Sequence, residues 1–265
     1  MAIPTEFLPA AQPEAVAPLA LVTGAARRLG AAFARALAED GFRIAIHCHQ
    51  SAAQAQALAA ELRAAGCPEP CIVRADLAGI EAAQTLFAQL PEPPCVLVNS
   101  ASLFREDQLQ RIDQDLWDRH FAINLRAPAL LSAAMASHLP PGRNGLIVNI
   151  TDAKLLAPNP DHFSYTLSKY GLAGLTEMSA RALAPRIRVN AIAPAVTLIS
   201  GPQSAANFAA AQKLNALQRG VTPADLVRAL RYLVQTPTVT GQTLAVESGQ
   251  RFLALPRDVA YMADS

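Results

Sequence analysis

Three side chains between residues 151 and 169 have the types and spacing of a proton-transfer group. Asp152 is followed thirteen residues later by Tyr165, and Lys169 lies four residues after the tyrosine. Residues four apart share one face of a helix, so Tyr165 and Lys169 are expected side by side. A free tyrosine has a pKa of roughly 10, and a neighbouring ammonium group is expected to stabilise its phenolate and make Tyr165 a proton donor. The alternative is a Tyr and a Lys that share a helix face by chance.

The carboxylate of Asp152 has two interpretations. Beside Tyr165, it could pass a proton through the phenol or directly to a ring nitrogen, which suits reduction of a C=N bond better than a C=O bond. As an ordinary turn residue, it would cap the loop after a strand, because Asp commonly bonds nearby backbone groups in turns.

The stretch LALVTGAARRLGAAFARAL predicts a dinucleotide site in the first strand–helix turn. Thr23-Gly24 follows a hydrophobic strand, and a helix opens at about Leu29. Unpaired N–H groups and the helix dipole favour an anion such as a pyrophosphate there, while Gly24 and Gly30 permit a tight turn and close helix packing. An ordinary strand–helix connection is the alternative.

The end of the second predicted strand favours NADPH over NADH. A NAD site would place Asp or Glu there for the ribose 2′-hydroxyl, whereas this strand ends IHCHQS without a carboxylate. Arg27, His49, Gln50 and Ser51 offer donors to a 2′-phosphate instead. His47 and His49 could also be a metal pair or plain polar strand residues, but no third ligand is in reach by sequence, so no metal site is predicted.

Composition excludes several classes of protein. Of the 265 residues 52% are hydrophobic, enough for a sizeable core, and the formal net charge is +1. No basic run would track a phosphate backbone, and no stretch approaches the roughly eighteen apolar residues of a membrane helix. The N-terminus lacks the features of a signal peptide. We expect a soluble cytoplasmic protein with no nucleic-acid or membrane partner and with reduced thiols at Cys48, Cys67, Cys71 and Cys95.

Short β-branched runs alternate with Ala/Leu-rich helical patterns along the chain. Strands are predicted at residues 19–24, 42–49, 71–77, 95–102, 145–151, 186–194 and 243–249. Helices are predicted near residues 29–40, 51–65, 79–90, 113–138, 163–184 and 222–235. This alternation predicts an α/β, Rossmann-type, doubly wound parallel sheet of seven strands with helices on both faces.

Domain organisation is expected to be simple. Residues 1–17 are interpreted as a flexible arm and residues 18–265 as a single domain. Residues 196–220 have no strand pattern and are long enough to form a loop that covers a substrate. Trp117 falls on an apolar helical pattern and is expected to be a packing residue.

Taken together, the motifs resemble the short-chain dehydrogenase/reductase family over residues 19–249. The residues that carry the resemblance are Thr23-Gly24 with Gly30, Asp76-Leu77, Asn99-Ser100-Ala101, Asn124, and Tyr165 with Lys169. It implies a nicotinamide cofactor and a homotetramer or homodimer.

The resemblance also implies a set of site residues. The residues expected to bind the cofactor are Gly24, Arg27, Arg28, Leu29, His49, Gln50, Ser51, Asp76, Leu77, Asn99, Ala101, Ser102, Tyr165, Lys169 and Pro194. Asn124 is expected to hold a water that links Lys169 to solvent as a proton relay. Its alternative is a buried amide satisfied by its neighbours.

Departures from the usual family pattern resemble the pteridine reductase branch, including bacterial dihydromonapterin reductases. The family pattern has Gly, Asn, Gly, Ser and Gly where this chain has Arg28, Ser100, Ser102, Asp152 and Ala195. The resemblance extends to the stretches TGAARRLG, HCHQSAAQAQAL and NSASLF. Gln50 stands where the trypanosomatid enzymes have Arg, which leaves the 2′-phosphate to Arg27 and His49.

In that branch, the residue that matches Phe104 stacks the pterin ring against the nicotinamide. Those that match Arg28 and Ser102 contact the pterin and a cofactor phosphate. A core position is the alternative for Phe104, although it precedes the polar stretch REDQ.

The function that follows is an NADPH-dependent reductase of dihydromonapterin, dihydrobiopterin or dihydrofolate, with hydride transfer to a C=N bond. Its catalytic residues are expected to be Asp152, Tyr165, Lys169 and Asn124, and its substrate contacts Arg28, Ser102, Phe104, Asp152 and Tyr165. One alternative is an NADPH-dependent carbonyl or 3-oxoacyl thioester reductase on the same fold. Another is a catalytically idle NADPH-binding protein.

Overall fold

A seven-stranded parallel sheet forms the centre of the structure, a computed structural model that describes residues 3–7, 17–201 and 203–262. Its strands are β1 (Leu19–Val22), β2 (Arg43–Cys48), β3 (Cys71–Arg74), β4 (Val96–Asn99), β5 (Gly145–Ile150), β6 (Ile187–Pro194) and β7 (Thr243–Val246). The strand order is β3-β2-β1-β4-β5-β6-β7. The order reverses between β1 and β4, where a doubly wound sheet opens a crevice at the carboxyl ends of its strands. The predicted fold is confirmed.

Nine α-helices accompany the sheet in the described ranges. They are α1 (Arg28–Glu39), α2 (Ala52–Ala64), α3 (Ala82–Phe87), α4 (Gln114–Phe121), α5 (Ala127–His138), α6 (Phe163–Leu183), α7 (Ala205–Ala211), α8 (Pro223–Gln235) and α9 (Val259–Met262). Short 3-10 turns lie at Thr5–Phe7, Ala153–Leu156 and Gln250–Leu253, and one π-helical turn lies at Ala122–Arg126. None of the described helices is long and apolar enough to span a bilayer.

Helices pack against both faces of the sheet. In β1, Ala20 and Val22 belong to a core cluster with α1, α2 and α8, whereas Leu19 and Leu21 belong to a second cluster with α3, α5 and the end of α6. Successive strand side chains point to opposite faces, so two buried clusters require both faces to be covered.

Several element boundaries differ from the predicted ones. The predicted strands 71–77, 95–102 and 243–249 end at Arg74, Asn99 and Val246, because the chain leaves the sheet to form the rim of the crevice. The predicted helix 113–138 is divided by the π-helical turn, and the segment 196–220 contains α7. Trp117 is half-buried and stacks on Phe121 at 4.8 Å between ring centres, so it packs within its helix rather than in the core.

The described part of the expected flexible arm is packed on the domain. Phe7 is fully buried and meets Phe42 edge-on at 5.9 Å. Glu6 forms an ion pair with Arg188 at 2.9 Å, and Arg143 Nη2 donates to the main-chain oxygen of Phe7 at 2.9 Å. Residues 3–7 therefore differ from the expectation of flexibility. The rest of that predicted arm, residues 1–2 and 8–16, lies outside the described residues.

Candidate active site

Asp152, Tyr165 and Lys169 meet beyond the carboxyl end of β5. Tyr165 Oη donates to Asp152 Oδ2 at 2.6 Å, and Asp152 Oδ1 accepts from Lys154 N at 2.8 Å. Lys169 Nζ donates to the main-chain oxygen of Ile150 at 2.7 Å and lies 5.7 Å from the centre of the Tyr165 ring. One oxygen of Asp152 thus caps the turn after β5 while the other holds the phenol, so its two interpretations are compatible.

Burial governs the protonation of these three groups. It raises the pKa of Tyr165 well above the ordinary value, and the charge and hydrogen bond of Asp152 raise it further. Burial also raises the pKa of Asp152, against the opposing effects of the Tyr165 hydroxyl, the Lys154 N–H and the Lys169 charge. The pKa of Lys169 is lowered to about 8 by burial, although Asp152 opposes this shift.

The expected stabilisation of a Tyr165 phenolate by Lys169 stays a prediction, because Lys169 Nζ bonds Ile150 O rather than the phenol in this structure. The ammonium group is directed to the oxygen of Ile150, and the neighbour of the phenol is a carboxylate. Tyr165 is therefore held as a neutral hydroxyl in a pair with Asp152.

The N-terminus of α6 is fixed by a residue far away in sequence. His162 precedes the helix with a left-handed φ of 52° and provides no side-chain cap. The buried carboxylate of Asp107 accepts instead from Ser164 N, at 3.0 and 3.2 Å. Since helix N-termini leave unpaired N–H groups, this contact stabilises the turn that presents Tyr165.

Asn124 is fully buried in the π-helical turn and its amide is saturated by protein. Nδ2 donates to Leu103 O and to Ser168 Oγ, each at 3.0 Å. Oδ1 accepts from Leu103 N at 2.8 Å and from Ser102 Oγ at 3.2 Å. An amide has two donors and can accept two bonds, so this side chain has no free group for the expected relay water. It ties the cleft rim to α6, as the alternative interpretation proposed.

The turn between β1 and α1 is shaped for close approach to an anion. Gly24 has a φ of +64°, and a Cβ on it would lie 3.0 Å from Ala101 Cα. A Cβ on Gly30 would lie 2.3 Å from Gly24 O, so both positions exclude larger residues. Thr23 Oγ1 accepts from Ala101 N at 3.0 Å and so joins the turn to the end of β4. These features fit the pyrophosphate of a dinucleotide at the N-terminus of α1.

His47 is a structural residue of this turn. Its Nδ1 accepts from Gly24 N at 3.1 Å, and its Nε2 lies 3.2 Å from Ala75 O. Burial lowers its pKa to about 4, which keeps the ring neutral as this bonding pattern requires. No group of three or more His, Cys, Asp or Glu side chains is arranged for a metal in residues 3–7, 17–201 and 203–262.

The end of β2 carries exposed donors and no carboxylate of its own. His49 and Gln50 are exposed, and Asp76 Oδ1 lies 3.8 Å from His49 Nδ1. Arg74, which the sequence analysis missed, pairs in register with Cys48 and donates from Nη2 to His49 O at 3.3 Å. Arg74 reaches this site because β3 pairs with β2, and that register cannot be read from the local sequence.

Arg28 joins the first turn to the segment 196–220. It has a left-handed φ of 56°, and its Nη1 donates to Ile199 O at 2.6 Å. The side chain therefore lies over the cleft between the expected cofactor and substrate regions.

Phe104 faces the cleft rather than the core. It is 40% exposed, stacks on His162 at 4.2 Å and meets the Tyr165 ring edge-on at 4.7 Å. His162 in turn lies parallel to Tyr261 at 6.1 Å. Three aromatic rings thus form one wall beside Tyr165, and two of them were not identified from the sequence.

Most expected site residues line one cleft of about 1610 Å³. They are Gly24, Arg27, Arg28, Leu29, His49, Gln50, Ser51, Asp76, Leu77, Ala101, Ser102, Phe104, Asp152, Tyr165, Lys169 and Pro194. Asn99 lies behind the cleft wall, where its Nδ2 donates to Asn149 Oδ1 at 2.8 Å. The cleft is also lined by residues that were not predicted from the sequence, namely Lys154 and the C-terminal Arg257, Asp258 and Tyr261.

Four cysteines remain free thiols. Cys48 and Cys95 are buried, and Cys67 and Cys71 are half-buried. Burial raises the pKa of Cys95 to about 12, so this thiol is not a nucleophile at neutral pH.

Comparison with known proteins finds relatives that differ in substrate. A 3-oxoacyl-[acyl-carrier-protein] reductase of Synechocystis sp. is 31% identical over 244 residues, or 88% of this chain and 96% of the relative. The crystal structure of FolM alternative dihydrofolate reductase 1 from Brucella canis, complexed with NADP, is 41% identical with a TM-score of 0.84. Its counterpart from Brucella suis, also with NADP, is 42% identical with the same score. Both matches cover 89% of this chain and 95% of the solved chain.

The family model for short chain dehydrogenases matches residues 18–207, which contain the first turn, Asp152, Tyr165 and Lys169. Both the architecture and the arrangement of the cleft agree with that match. The chain belongs to the short chain dehydrogenase family.

Proposed function

We propose that the protein is an NADPH-dependent reductase of pteridines, with dihydromonapterin, dihydrobiopterin or dihydrofolate as substrate. The observation that carries the proposal is the 2.6 Å hydrogen bond between Tyr165 Oη and Asp152 Oδ2 inside the cleft. An acid with a raised pKa, paired with a phenol, is suited to protonate a ring nitrogen.

The residues around the first turn would hold the cofactor. The pyrophosphate would lie on the N-terminus of α1, with Gly24 and Gly30 allowing its approach. Arg27, His49 and Arg74 would offer donors to a 2′-phosphate near the end of β2, together with Gln50 and Ser51. When bound, NADPH supplies the hydride.

Asp152 would carry the proton for the substrate on Oδ2. Its Oδ1 accepts from Lys154 N, which leaves Oδ2 to carry the proton of the neutral acid. Protonation reverses the hydrogen bond to Tyr165, so that the phenolic proton turns towards the cleft. The pair thereby delivers a proton next to Phe104, whose ring is placed to stack a flat heterocycle.

The Brucella proteins support the substrate class. They are alternative dihydrofolate reductases complexed with NADP, and their identity to this chain, 41% and 42%, exceeds the 31% of the 3-oxoacyl reductase from Synechocystis sp.. A second candidate is the reduction of 3-oxoacyl thioesters, which that relative favours. A third is a catalytically idle NADPH-binding protein, against which the intact Asp152, Tyr165 and Lys169 group argues.

One assay separates the three candidates. Purified protein is given NADPH with a dihydropterin, with a 3-oxoacyl thioester, or with no substrate, and the absorbance of NADPH is followed. We expect oxidation with the dihydropterin. Turnover of the thioester alone would reject the pteridine proposal, and NADPH binding without any turnover would favour the idle protein.

The Asp152→Ser variant tests the residue that carries the proposal. We expect dihydropterin reduction to fall by about 10²–10⁴-fold, because general acid catalysis contributes a factor of this size. The affinity for NADPH, measured by fluorescence titration, should change little. The control is Asp118→Ser on the exposed surface of α4, which should keep full activity. Unchanged activity in Asp152→Ser would show that Asp152 only caps the loop after β5 and does not take part in catalysis.

A further inference from the structure

The last described residues of the chain, 255–262, are held over the substrate end of the cleft and are called the C-terminal segment below. The buried carboxylate of Asp161 accepts from Arg257 Nε at 2.9 and 2.8 Å and from Asp258 N at 2.6 Å. From the other side, Asn207 Nδ2 of α7 donates to a main-chain oxygen of the segment at 2.8 Å. The segment is therefore fixed to α7 and to the loop before α6.

Lys154 connects this segment to the proton-transfer pair. Its backbone N–H donates to Asp152 Oδ1 at 2.8 Å. Its Nζ donates to Asp161 O at 2.6 Å and lies 3.5 Å from Asp258 Oδ2. The Lys154 and Asp258 side chains are only 8% and 16% exposed, so their ion pair is poorly screened by solvent.

We propose that Asp258 is a positioning residue: held beside the site by Lys154, it acts on the proton donor Asp152 by its negative charge. The inference rests on the proposed function in one respect, the role of Asp152 as the acid. In the hydrogen bonds described, Asp258 contacts neither Tyr165 nor Asp152. It contacts Lys154 Nζ, and the N–H of Lys154 donates to Asp152.

The charges around the two carboxylates explain this role. The groups that face Asp152 are Lys154 from its own turn, Tyr165 and Lys169 from α6, and Asp258 from the C-terminal segment. Arg257 and Asp161 lie beside Asp258. The negative charge of Asp258 adds to the burial that raises the pKa of Asp152, and it raises the pKa of Tyr165 as well. With the C-terminal segment bound in this position, the charge of Asp258 therefore helps to keep Asp152 protonated.

The Asp258→Asn variant removes this charge and keeps the shape of the side chain. The native carboxylate faces Lys154 Nζ with Oδ2 and accepts from Ala260 N with Oδ1 at 3.1 Å, whereas the single amide oxygen of Asn can accept from one of these two donors. The titration of the Asp152 carboxyl carbon is followed by ¹³C NMR in the full chain, with its signal assigned by its loss in Asp152→Asn. We expect the midpoint to fall by about half a pH unit or more, as for a unit charge at short range in a partly buried site.

Two further variants complete the experiment. Asp258→Glu keeps the charge and should restore the native midpoint, and Asp118→Asn on the exposed face of α4 should leave it unchanged. A midpoint that is the same in Asp258→Asn and in the native protein would overturn the inference. So would an equal fall in Asp258→Glu, because the effect would then come from the loss of packing.

Activity distinguishes the failure of this inference from that of the proposed function. With a dihydropterin, the pH above which kcat declines should move to a lower value in Asp258→Asn. A native protein that reduces no dihydropterin, but whose Asp152 midpoint responds to Asp258, would overturn the proposed function and leave the positioning role intact. A change of KM in Asp258→Asn with an unchanged pH profile would show a structural role only and would overturn the inference.

Discussion

Lys169 is a buried cation beside a buried acid, and its burial makes the stability of the fold sensitive to alkaline pH. Its pKa is about 8 in the folded chain against an ordinary value of 10.5, so the unfolded chain binds more protons between these values. The cost of burying its charge is present in full below pH 8. It is progressively relieved as the pH rises towards 10.5.

The free energy of unfolding should therefore show a contribution from Lys169 that rises with pH. Relative to Lys169→Met, the native chain should gain on the order of 3 kcal/mol between pH 7.5 and 10.5, measured by urea denaturation. Lys213→Met, at an exposed position, is the control and should follow the native curve. If the free energy of unfolding depended on pH in the same way in the native chain and in Lys169→Met, burial would not lower the pKa of Lys169.

Phe104 should affect the substrate and not the cofactor. We expect Phe104→Leu to raise KM for a dihydropterin by about two- to tenfold, since aromatic pairs are worth about 0.5–1.5 kcal/mol beyond buried area. The affinity for NADPH should stay the same. Phe121→Leu, whose ring stacks on Trp117, is the matched control for loss of an aromatic ring. Equal effects of the two substitutions on KM would show that Phe104 does not contact the substrate.

At the scale of residues, sequence spacing predicted which side chains meet, but not how each one bonds. The helical offset places Tyr165 and Lys169 together, and the structure brings Asp152 to them. The bond from Lys169 to Ile150 O and the saturated amide of Asn124 depend on atoms that lie on other elements. Helix periodicity predicts which residues share one face of a helix. It does not predict which residues on other strands or helices they bond.

At the scale of elements, strand and helix patterns predicted the sheet and every major helix, but not the contacts of the chain ends. α7 lies in a segment with little regular pattern, and the C-terminal segment follows the last predicted strand. Both are placed by long-range bonds, such as those of Asn207 and Asp161. A local pattern cannot reveal such bonds, because stability there comes from tertiary packing rather than from propensity.

The docked part of the N-terminal arm should contribute to stability. Phe7→Ala removes a fully buried ring that packs on Phe42, so we expect a loss of about 3–5 kcal/mol in the free energy of unfolding. Chemical denaturation followed by circular dichroism measures it. Ile80→Ala, at a side chain that is 74% exposed, should change stability by less than about 0.5 kcal/mol. A loss this small in Phe7→Ala would restore the interpretation of a free arm.

At the scale of the whole molecule, the assembly is a prediction from the family resemblance. We expect light scattering on the purified protein to give the mass of two or four chains. Leu109, Ile112, Tyr170 and Met178, on and near the α4 and α6 surface, are exposed apolar residues, and burial between chains would remove them from water. A single-chain mass at micromolar concentration would contradict the expectation. The sequence could not decide between the two assemblies, because interface geometry is not encoded in local periodicity.

The left-handed backbone of Arg28 has a consequence for how the protein can be altered. A residue with a side chain pays about 1–2 kcal/mol to adopt this conformation, whereas glycine adopts it without steric cost. Arg28→Gly would relieve this backbone cost, and the same change would remove the bridge to Ile199. The strained backbone and the contact across the cleft are therefore inseparable at this one residue.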